Sequence, residues 1–136
     1  MKRSKKRMMI LCAVVAVLLA AGGLFGANYL RSVQDYQAKV SSITFSNVDI
    51  SRVPNGTYIG ECDVDFIYAK VEVTVQEGVI TDIIILEHRN ERGAAAEDII
   101  NSILAEQTVD VDVVASATNS SIVIKKAVEN ALLSAR

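Results

Sequence analysis

A run of small and hydroxyl-bearing residues near the C-terminus contains the side chains best suited to chemistry. Residues 112–121 carry four hydroxyl groups, on Ser116, Thr118, Ser120 and Ser121. A helical pattern follows at once, so these hydroxyls lie where the first N–H groups of a helix lack partners within the helix. Such a helix end, with its positive dipole, suits a phosphate, and the small side chains allow a bulky ligand to approach closely.

The same run also has a purely structural interpretation. Asn119 or Ser120 can serve as an N-cap, whose side-chain oxygen accepts a hydrogen bond from the first turn of the helix. The residues before the cap are then an ordinary loop. The pattern by itself favours this interpretation over a phosphate site.

Other kinds of site find no support in the composition. His88 is the single histidine, which excludes a multi-histidine metal site, and the sequence contains no CxxC pair and no glycine-rich phosphate loop. A Ser-His-Asp arrangement would need His88 as its base, and no spacing supports one. We therefore assign no catalytic residue and no metal ligand. Because His88 follows a strand pattern and precedes a turn, we expect a hydrogen-bonded histidine at a sheet edge.

The two cysteines are too far apart in the predicted organisation to form a disulfide. Cys12 lies in an apolar N-terminal segment and Cys62 in the folded part. Stability must then come from a hydrophobic core rather than from a disulfide. We expect Cys62 to be a small buried hydrophobic residue rather than a reactive thiol.

The elements that must position the hydroxyl-rich run begin with three strands. Residues 57–62 follow the turn signal Asn55-Gly56 and form the first. Residues 70–76 alternate strictly, so that three valines share one face, which is typical of a half-buried strand. Residues 79–86 follow Glu77-Gly78, and a two-residue loop ending in glycine between β-branched runs predicts a tight antiparallel hairpin.

The pattern then changes to a helical period. Residues 90–93 make a turn into a helix over residues 94–107, and a second helix covers residues 120–135. Each has one apolar face, formed by Ile99, Ile100, Ile103 and Leu104 in the first and by Ile124, Val128, Ala131 and Leu132 in the second. The sequence therefore predicts an α+β fold, a small antiparallel sheet of about three or more strands packed against two helices.

The N-terminal segment differs in composition from the rest of the chain. Residues 2–7 carry five positive charges, and residues 8–27 contain no charged side chain. A helix needs about 20 apolar residues to cross the hydrocarbon core of a membrane. A cleavable signal peptide has a similar order of residues, although its apolar run is usually about 7–15 residues long. We expect an uncleaved anchor, with the cleaved signal peptide as the alternative.

These features predict four regions and their locations. Residues 1–7 are a cytoplasmic basic segment, 8–27 a transmembrane signal anchor, 28–54 a stalk or linker, and 55–135 the folded domain. Residues 28–40 could prolong the membrane helix before Ser41, Ser42 and the turn at residues 53–56 end it. Because basic flanks remain in the cytoplasm, the domain is expected on the extracytoplasmic side of the cell membrane.

The charge of the exported part excludes two classes of partner. The whole chain has 14 basic and 16 acidic residues, and removing the five N-terminal positive charges leaves 9 against 16, a net charge of about −7. An acidic domain argues against binding to nucleic acid and against a polybasic attachment to anionic lipids.

Residues 55–135 resemble the FMN-binding domain family. The resemblance rests on the motifs Gly56-Thr57-Tyr58 and Ala117-Thr118-Asn119-Ser120-Ser121, together with residues 70–75, 77–83, 87–93, 111–114 and 127–132. The family includes flavin-carrying subunits of the Rnf and sodium-pumping quinone reductase complexes and small extracytoplasmic electron carriers.

The resemblance implies a covalent FMN site in the hydroxyl-rich run. In the family, a flavin transferase recognises an Asp-x-x-Ser-Gly-Ala-Thr segment and joins the phosphate of FMN to the threonine hydroxyl. The matching positions make Asp112 the recognition residue and Thr118 the acceptor, with Ser116, Ala117, Asn119 and Ser120 beside the cofactor. Ala115 stands where the family has Ser or Thr, and Ser116 where it has Gly. A loop that needs a positive φ there would penalise Ser116.

The function implied by the resemblance is a membrane-anchored electron carrier rather than a stand-alone enzyme. Its expected partners are a flavin transferase for maturation and a membrane electron donor and acceptor, neither of which the sequence identifies. The alternative is an envelope interaction module of the same fold that carries no flavin, and the departures at Ala115 and Ser116 support it. Reversible FMN binding is a third possibility.

Overall fold

The chain divides into two compact units, Met1–Gln37 and Ala38–Arg136. The computed structural model describes residues 2–90 and 93–135. Glu91 and Arg92, which the sequence places in the turn before the first helix of the domain, lie outside the described residues.

The N-terminal region is a single long helix, α1, over Lys2–Ser42. Part of this helix is long and apolar enough to cross a membrane, and the side chains of that part are not buried. The helix ends at the Ser-Ser pair where the sequence predicted a break, and the Ser42 hydroxyl donates a hydrogen bond to the Lys39 carbonyl, 2.8 Å away.

Three antiparallel strands form the sheet of the domain, in the order β1-β2-β3. They are β1 over Gly56–Asp63, β2 over Tyr68–Gln76 and β3 over Val79–Arg89. The strict alternation in β2 places its apolar side chains on one face, where Ala69, Val71, Val73 and Val75 are fully buried. The three predicted strands are therefore confirmed, and each is slightly longer than its pattern.

The predicted hairpin joins β2 to β3. Glu77 and Gly78 have φ values of 51° and 73°. Two consecutive positive φ values are the requirement of a type I′ turn, whose twist matches that of the flanking strands. Glu77 and Gly78, on which the prediction of the hairpin was based, therefore form its turn.

Two helices pack in the domain, α2 over Ile99–Glu106 and α3 over Thr118–Leu133. The predicted helix over residues 94–107 is divided, because Ala94–Asp98 forms a 3₁₀ turn before α2 begins. The buried face of α3 lies against β1 and β2. Gly60 permits this close packing, because a Cβ atom there would lie 2.1 Å from the Ala127 carbonyl oxygen. The predicted α+β arrangement is confirmed.

Residues 38–54 belong to the folded unit, although the sequence placed them in a stalk. Val40, Ile50 and Val53 are buried. The backbone N–H of Ser46 donates to the Glu129 carboxylate on α3. These apolar residues are sparse in a polar segment and follow no single period, so no pattern reveals that they pack.

The free edge of β3 is occupied at one point by a side chain. Gln107 ends α2 in a left-handed conformation, with φ at 53°. Its Oε1 accepts a hydrogen bond from the Ile80 N–H at 2.8 Å, and its Nε2 donates to the Ile80 carbonyl at 2.9 Å. The carboxamide therefore binds both backbone polar groups of Ile80.

Candidate functional site

The hydroxyl-rich run forms a tight turn that leads directly into α3. The Ala117 N–H donates to the Val114 carbonyl at 3.0 Å, which closes a four-residue turn around Ala115 and Ser116. Ser116 has a φ of 67°. A positive φ at the third residue is what a type II turn requires, and it favours glycine. The loop therefore needs the conformation for which Ser116 is poorly suited.

The start of α3 differs from the predicted cap. The helix begins at Thr118, and its N-cap residue is Ala117, which has no side chain able to accept a hydrogen bond. Asn119 and Ser120 lie inside the first turn, so the prediction that one of them is the N-cap is wrong. The turn at Ala115 and Ser116 brings the chain into the helix two residues earlier than the polar pattern indicates.

The six predicted site residues occupy three different environments. Asp112, Ser116 and Thr118 are exposed, Asn119 is half-buried, and Ala117 and Ser120 are buried. Asp112 precedes the turn and Thr118 follows it. The structure therefore leaves the predicted recognition carboxylate and acceptor hydroxyl accessible, while Ser120 points into the domain.

Ser120 is buried against the segment that follows β3. A Cβ atom on Gly93 would lie 1.9 Å from the Ser120 Oγ, so only glycine fits at this position. The Gly93 N–H donates to the Asn90 Oδ1 at 2.8 Å, and the Asn90 Nδ2 lies 3.3 Å from the His88 Nδ1. This chain of contacts links the end of β3 to the first turn of α3.

His88 is hydrogen-bonded, as the sequence predicted, but it lies within β3 rather than after it. Its Nδ1 is 3.0 Å from the Glu97 Oε1, and its side chain is 2% exposed. The Nε2 atom is buried and has no hydrogen-bond partner among residues 2–90 and 93–135. Because buried polar atoms are normally paired, this nitrogen is a candidate for contact with a bound group.

Two side chains of α3 hold the backbone of the loop before it. The Ser121 Oγ accepts from the Val114 N–H at 3.0 Å and donates to the Ala117 carbonyl at 2.8 Å. The Lys125 Nζ donates to the Val111 carbonyl at 2.6 Å. Lys125 is not among the predicted site residues, although it lies four residues after Ser121 and three before Val128, in the buried stripe of α3.

The pKa shifts in the domain do not point to a nucleophile. Burial raises the pKa of the half-buried Cys62 thiol, an effect opposed by Lys126 and supported by Asp63. The pKa of the exposed Tyr68 hydroxyl is also raised, mainly because that hydroxyl donates a hydrogen bond to the Glu61 carboxylate, 2.8 Å away. Both groups are therefore held in their protonated forms.

Comparison with known proteins assigns the domain to a family. The profile of the FMN-binding domain matches residues 67–133. Neither the curated proteins nor the solved structures give a match. The matched segment contains β2, β3, both helices of the domain and all six predicted site residues. With the antiparallel sheet and helices in the predicted order, residues 67–133 of this chain belong to the FMN-binding domain family.

Proposed function

We propose that this protein is a membrane-anchored extracytoplasmic electron carrier whose FMN is joined to Thr118 by a phosphoester. The observation that carries the proposal is the exposed Thr118 at the first position of α3. It lies two residues after Ser116, whose backbone is left-handed. This threonine lies within the segment that matches the FMN-binding domain.

The residues at this end of the domain fit a flavin phosphate. The first turn of α3 provides backbone N–H groups and the positive end of a helix dipole. Ala117, as N-cap, brings no carboxylate or hydroxyl that would compete with a phosphate. The His88 Nε2, which has no hydrogen-bond partner among the described residues, lies in the element linked to this turn through Asn90 and Gly93. It can donate or accept a hydrogen bond, depending on its tautomer.

Attachment to Thr118 requires an activated donor, because a free phosphate monoester has no good leaving group. A flavin dinucleotide supplies a pyrophosphate. The Thr118 oxygen forms a bond to the phosphorus on the flavin side while the pyrophosphate P–O bond breaks. The hydroxyl proton passes to a base of the transferase, and a nucleoside monophosphate leaves. No electron is transferred in this step, so it needs no oxidant or reductant.

Outside a cell, covalent attachment would retain the flavin on the domain, and a membrane anchor would retain the domain at the membrane. A flavin that dissociated there would be diluted, whereas an ester-linked flavin is retained whatever its binding constant. Bound FMN would supply the uptake and release of electrons, while the protein supplies orientation and electrostatics. The α1 helix, which is long and apolar enough to span a membrane, would keep the domain near a membrane donor and acceptor.

Mass spectrometry of the full chain, co-expressed with a flavin transferase, tests the proposal. The wild-type mass should increase by one FMN minus one water, and Thr118→Ala should abolish the increase without unfolding the domain. Thr81→Ala removes an exposed hydroxyl from β3 and should leave the flavin load unchanged. A full covalent load on Thr118→Ala would show that the acceptor is assigned wrongly.

A flavin-free interaction module is the second candidate, and one observation favours it. Ser116 adopts a conformation that suits the glycine of the family motif, so the attachment loop is strained in this chain. A colourless, unmodified protein produced beside an active transferase would support this candidate. Reversible FMN binding would instead give a yellow protein that releases free flavin on denaturation in acid.

A further inference from the structure

The loop before α3 is held by side chains at two points, and both belong to the same face of α3. Ser121 contacts the N–H of Val114, and Lys125 contacts the carbonyl of Val111. Residues four apart are neighbours on a helix surface, so the two side chains lie one above the other along α3. The helix thereby fixes the distance between the Val114 N–H and the Val111 carbonyl.

Asp112 and Val113 lie between the two held backbone groups, and both are exposed. Holding the backbone on either side, at Val111 and Val114, directs this dipeptide away from the domain. The exposed pair includes the carboxylate that the family motif assigns to transferase recognition. Side chains of α3 therefore hold the loop in which Asp112 is exposed.

Lys125 is an unusual residue for a support of this kind. It is 8% exposed, and its Nζ lies 2.6 Å from the Val111 oxygen and 5.1 Å from the centroid of the Phe45 ring. Burying an ammonium group is costly unless it is well paired. A methionine of similar length would fill the space without this cost, but it could not donate to the loop.

We propose that Lys125 and Ser121 are positioning residues for FMN attachment, which hold the loop so that Asp112 and Thr118 are presented together to the transferase. This proposal rests on the proposed function. Neither side chain takes part in the transfer chemistry. Each acts through the backbone of residues 111–117, and loss of either contact should loosen this loop before it weakens the rest of the domain.

The test compares Lys125→Met and Ser121→Ala with Lys126→Met in the full-length protein before flavin attachment. Lys126 is a matched control, because its Nζ contacts the Thr44 carbonyl and the Glu129 carboxylate instead of the loop. The measurements are amide hydrogen exchange over residues 108–117, the free energy of unfolding, and kcat/KM for the transferase with the protein as acceptor.

We expect Lys125→Met to raise exchange in the loop and to lower kcat/KM by about tenfold, the effect of losing one hydrogen bond to a charged group. Ser121→Ala should raise exchange at Val114 and lower kcat/KM in the same direction. Lys126→Met should reduce stability while loop exchange and kcat/KM remain at wild-type values. Thr118→Ala has no acceptor hydroxyl, so it gives the background rate of the transfer assay.

Three results would overturn the positioning role. The first is unchanged loop exchange in Lys125→Met and Ser121→Ala, and the second is raised exchange with wild-type kcat/KM. The third is an equal loss of kcat/KM in Lys126→Met, which would indicate general destabilisation. A wild-type chain that accepts no FMN from an active transferase is a distinct result, which overturns the proposed function and the positioning role with it.

Discussion

Ser116 occupies a backbone conformation that its side chain disfavours. Its φ of 67° lies in the left-handed region, where the Cβ atom of an L-residue approaches the following carbonyl oxygen. The family motif has glycine at the matching position. The strain is local, because neighbouring Ala117 has returned to negative φ at −132°. The strain in this loop thus arises from the side chain of one residue, Ser116.

Replacing Ser116 with glycine should stabilise the domain. We expect Ser116→Gly to raise the free energy of unfolding by about 0.5–1 kcal/mol, since the relieved strain of about 1–2 kcal/mol exceeds the entropy cost of glycine. Ala115→Gly is the control, because Ala115 is not among the residues with positive φ and pays only the entropy cost. Urea denaturation measures both. A Ser116→Gly variant no more stable than Ala115→Gly would contradict the strain.

Cys62 should react slowly with alkylating reagents. Burial is the main cause of its raised pKa, and Lys126 opposes the shift. A raised pKa means less thiolate at a given pH, so the alkylation rate at Cys62 should inflect at a higher pH than that of a free thiol. Lys126→Met removes the opposing charge and should move the inflection higher still. Peptide mass mapping distinguishes Cys62 from Cys12, and an inflection at the ordinary thiol pKa would refute the shift.

At the scale of elements, the contact between α3 and β1 depends on a missing side chain. A Cβ atom at position 60 would meet backbone atoms of α3, at 2.1 Å from the Ala127 oxygen and 2.3 Å from the Ala131 nitrogen. Backbone within a helix cannot move aside as a side chain can. The helix that begins at Thr118 is therefore seated on the sheet through Gly60.

Gly60→Ala should separate α3 from the sheet. Overpacking of this kind typically costs about 1–3 kcal/mol, and we expect a loss at the upper end of that range. Gly56→Ala lies on the same strand, but its Cβ atom would meet the outer end of the Tyr58 side chain, at 2.9 Å from the hydroxyl and 3.1 Å from Cζ, and no backbone atom is among these nearest contacts. It should cost less. Thermal or urea unfolding compares the two, and equal losses would show that the close approach is not limiting.

Periodicity explains which elements could be predicted from the sequence. The alternation in β2 and the Glu77-Gly78 turn are local signals, and the structure follows both. The candidate site could be predicted only through the family resemblance, because the pattern of hydroxyls by itself favours a helix cap. The start of α3 at Thr118 depends on the turn at Ser116, and Lys125 contacts a carbonyl 14 residues earlier in the chain. Such long-range contacts leave no period to detect.

At the scale of the whole molecule, the orientation across the membrane is the main expectation of the sequence. The basic residues at positions 2–7 should remain in the cytoplasm, with the domain outside. In a Cys62→Ser background, a membrane-impermeant maleimide should label Ser134→Cys on intact cells, because Ser134 is exposed in the domain. Ser4→Cys should be labelled only after permeabilisation.

The opposite labelling pattern would contradict the proposed orientation. The mass of the mature protein provides a separate control, because signal-peptide cleavage would remove the apolar segment and an anchor would retain it. An intact N-terminus together with external labelling of Ser134→Cys would agree with a single-pass anchor. A shortened chain would instead indicate a secreted domain.

The carboxamide of Gln107 bears on how these molecules behave when crowded at a membrane surface. An edge strand with free N–H and carbonyl groups invites a strand from another molecule, which is a common route to aggregation. Gln107 fills that place at Ile80 with a group of the same hydrogen-bonding pattern as a peptide bond. An incoming strand would have to displace it before pairing there. At Ile80, a side chain of the same molecule thus occupies the edge of β3, which opposes pairing with the sheet of a neighbouring copy at this position.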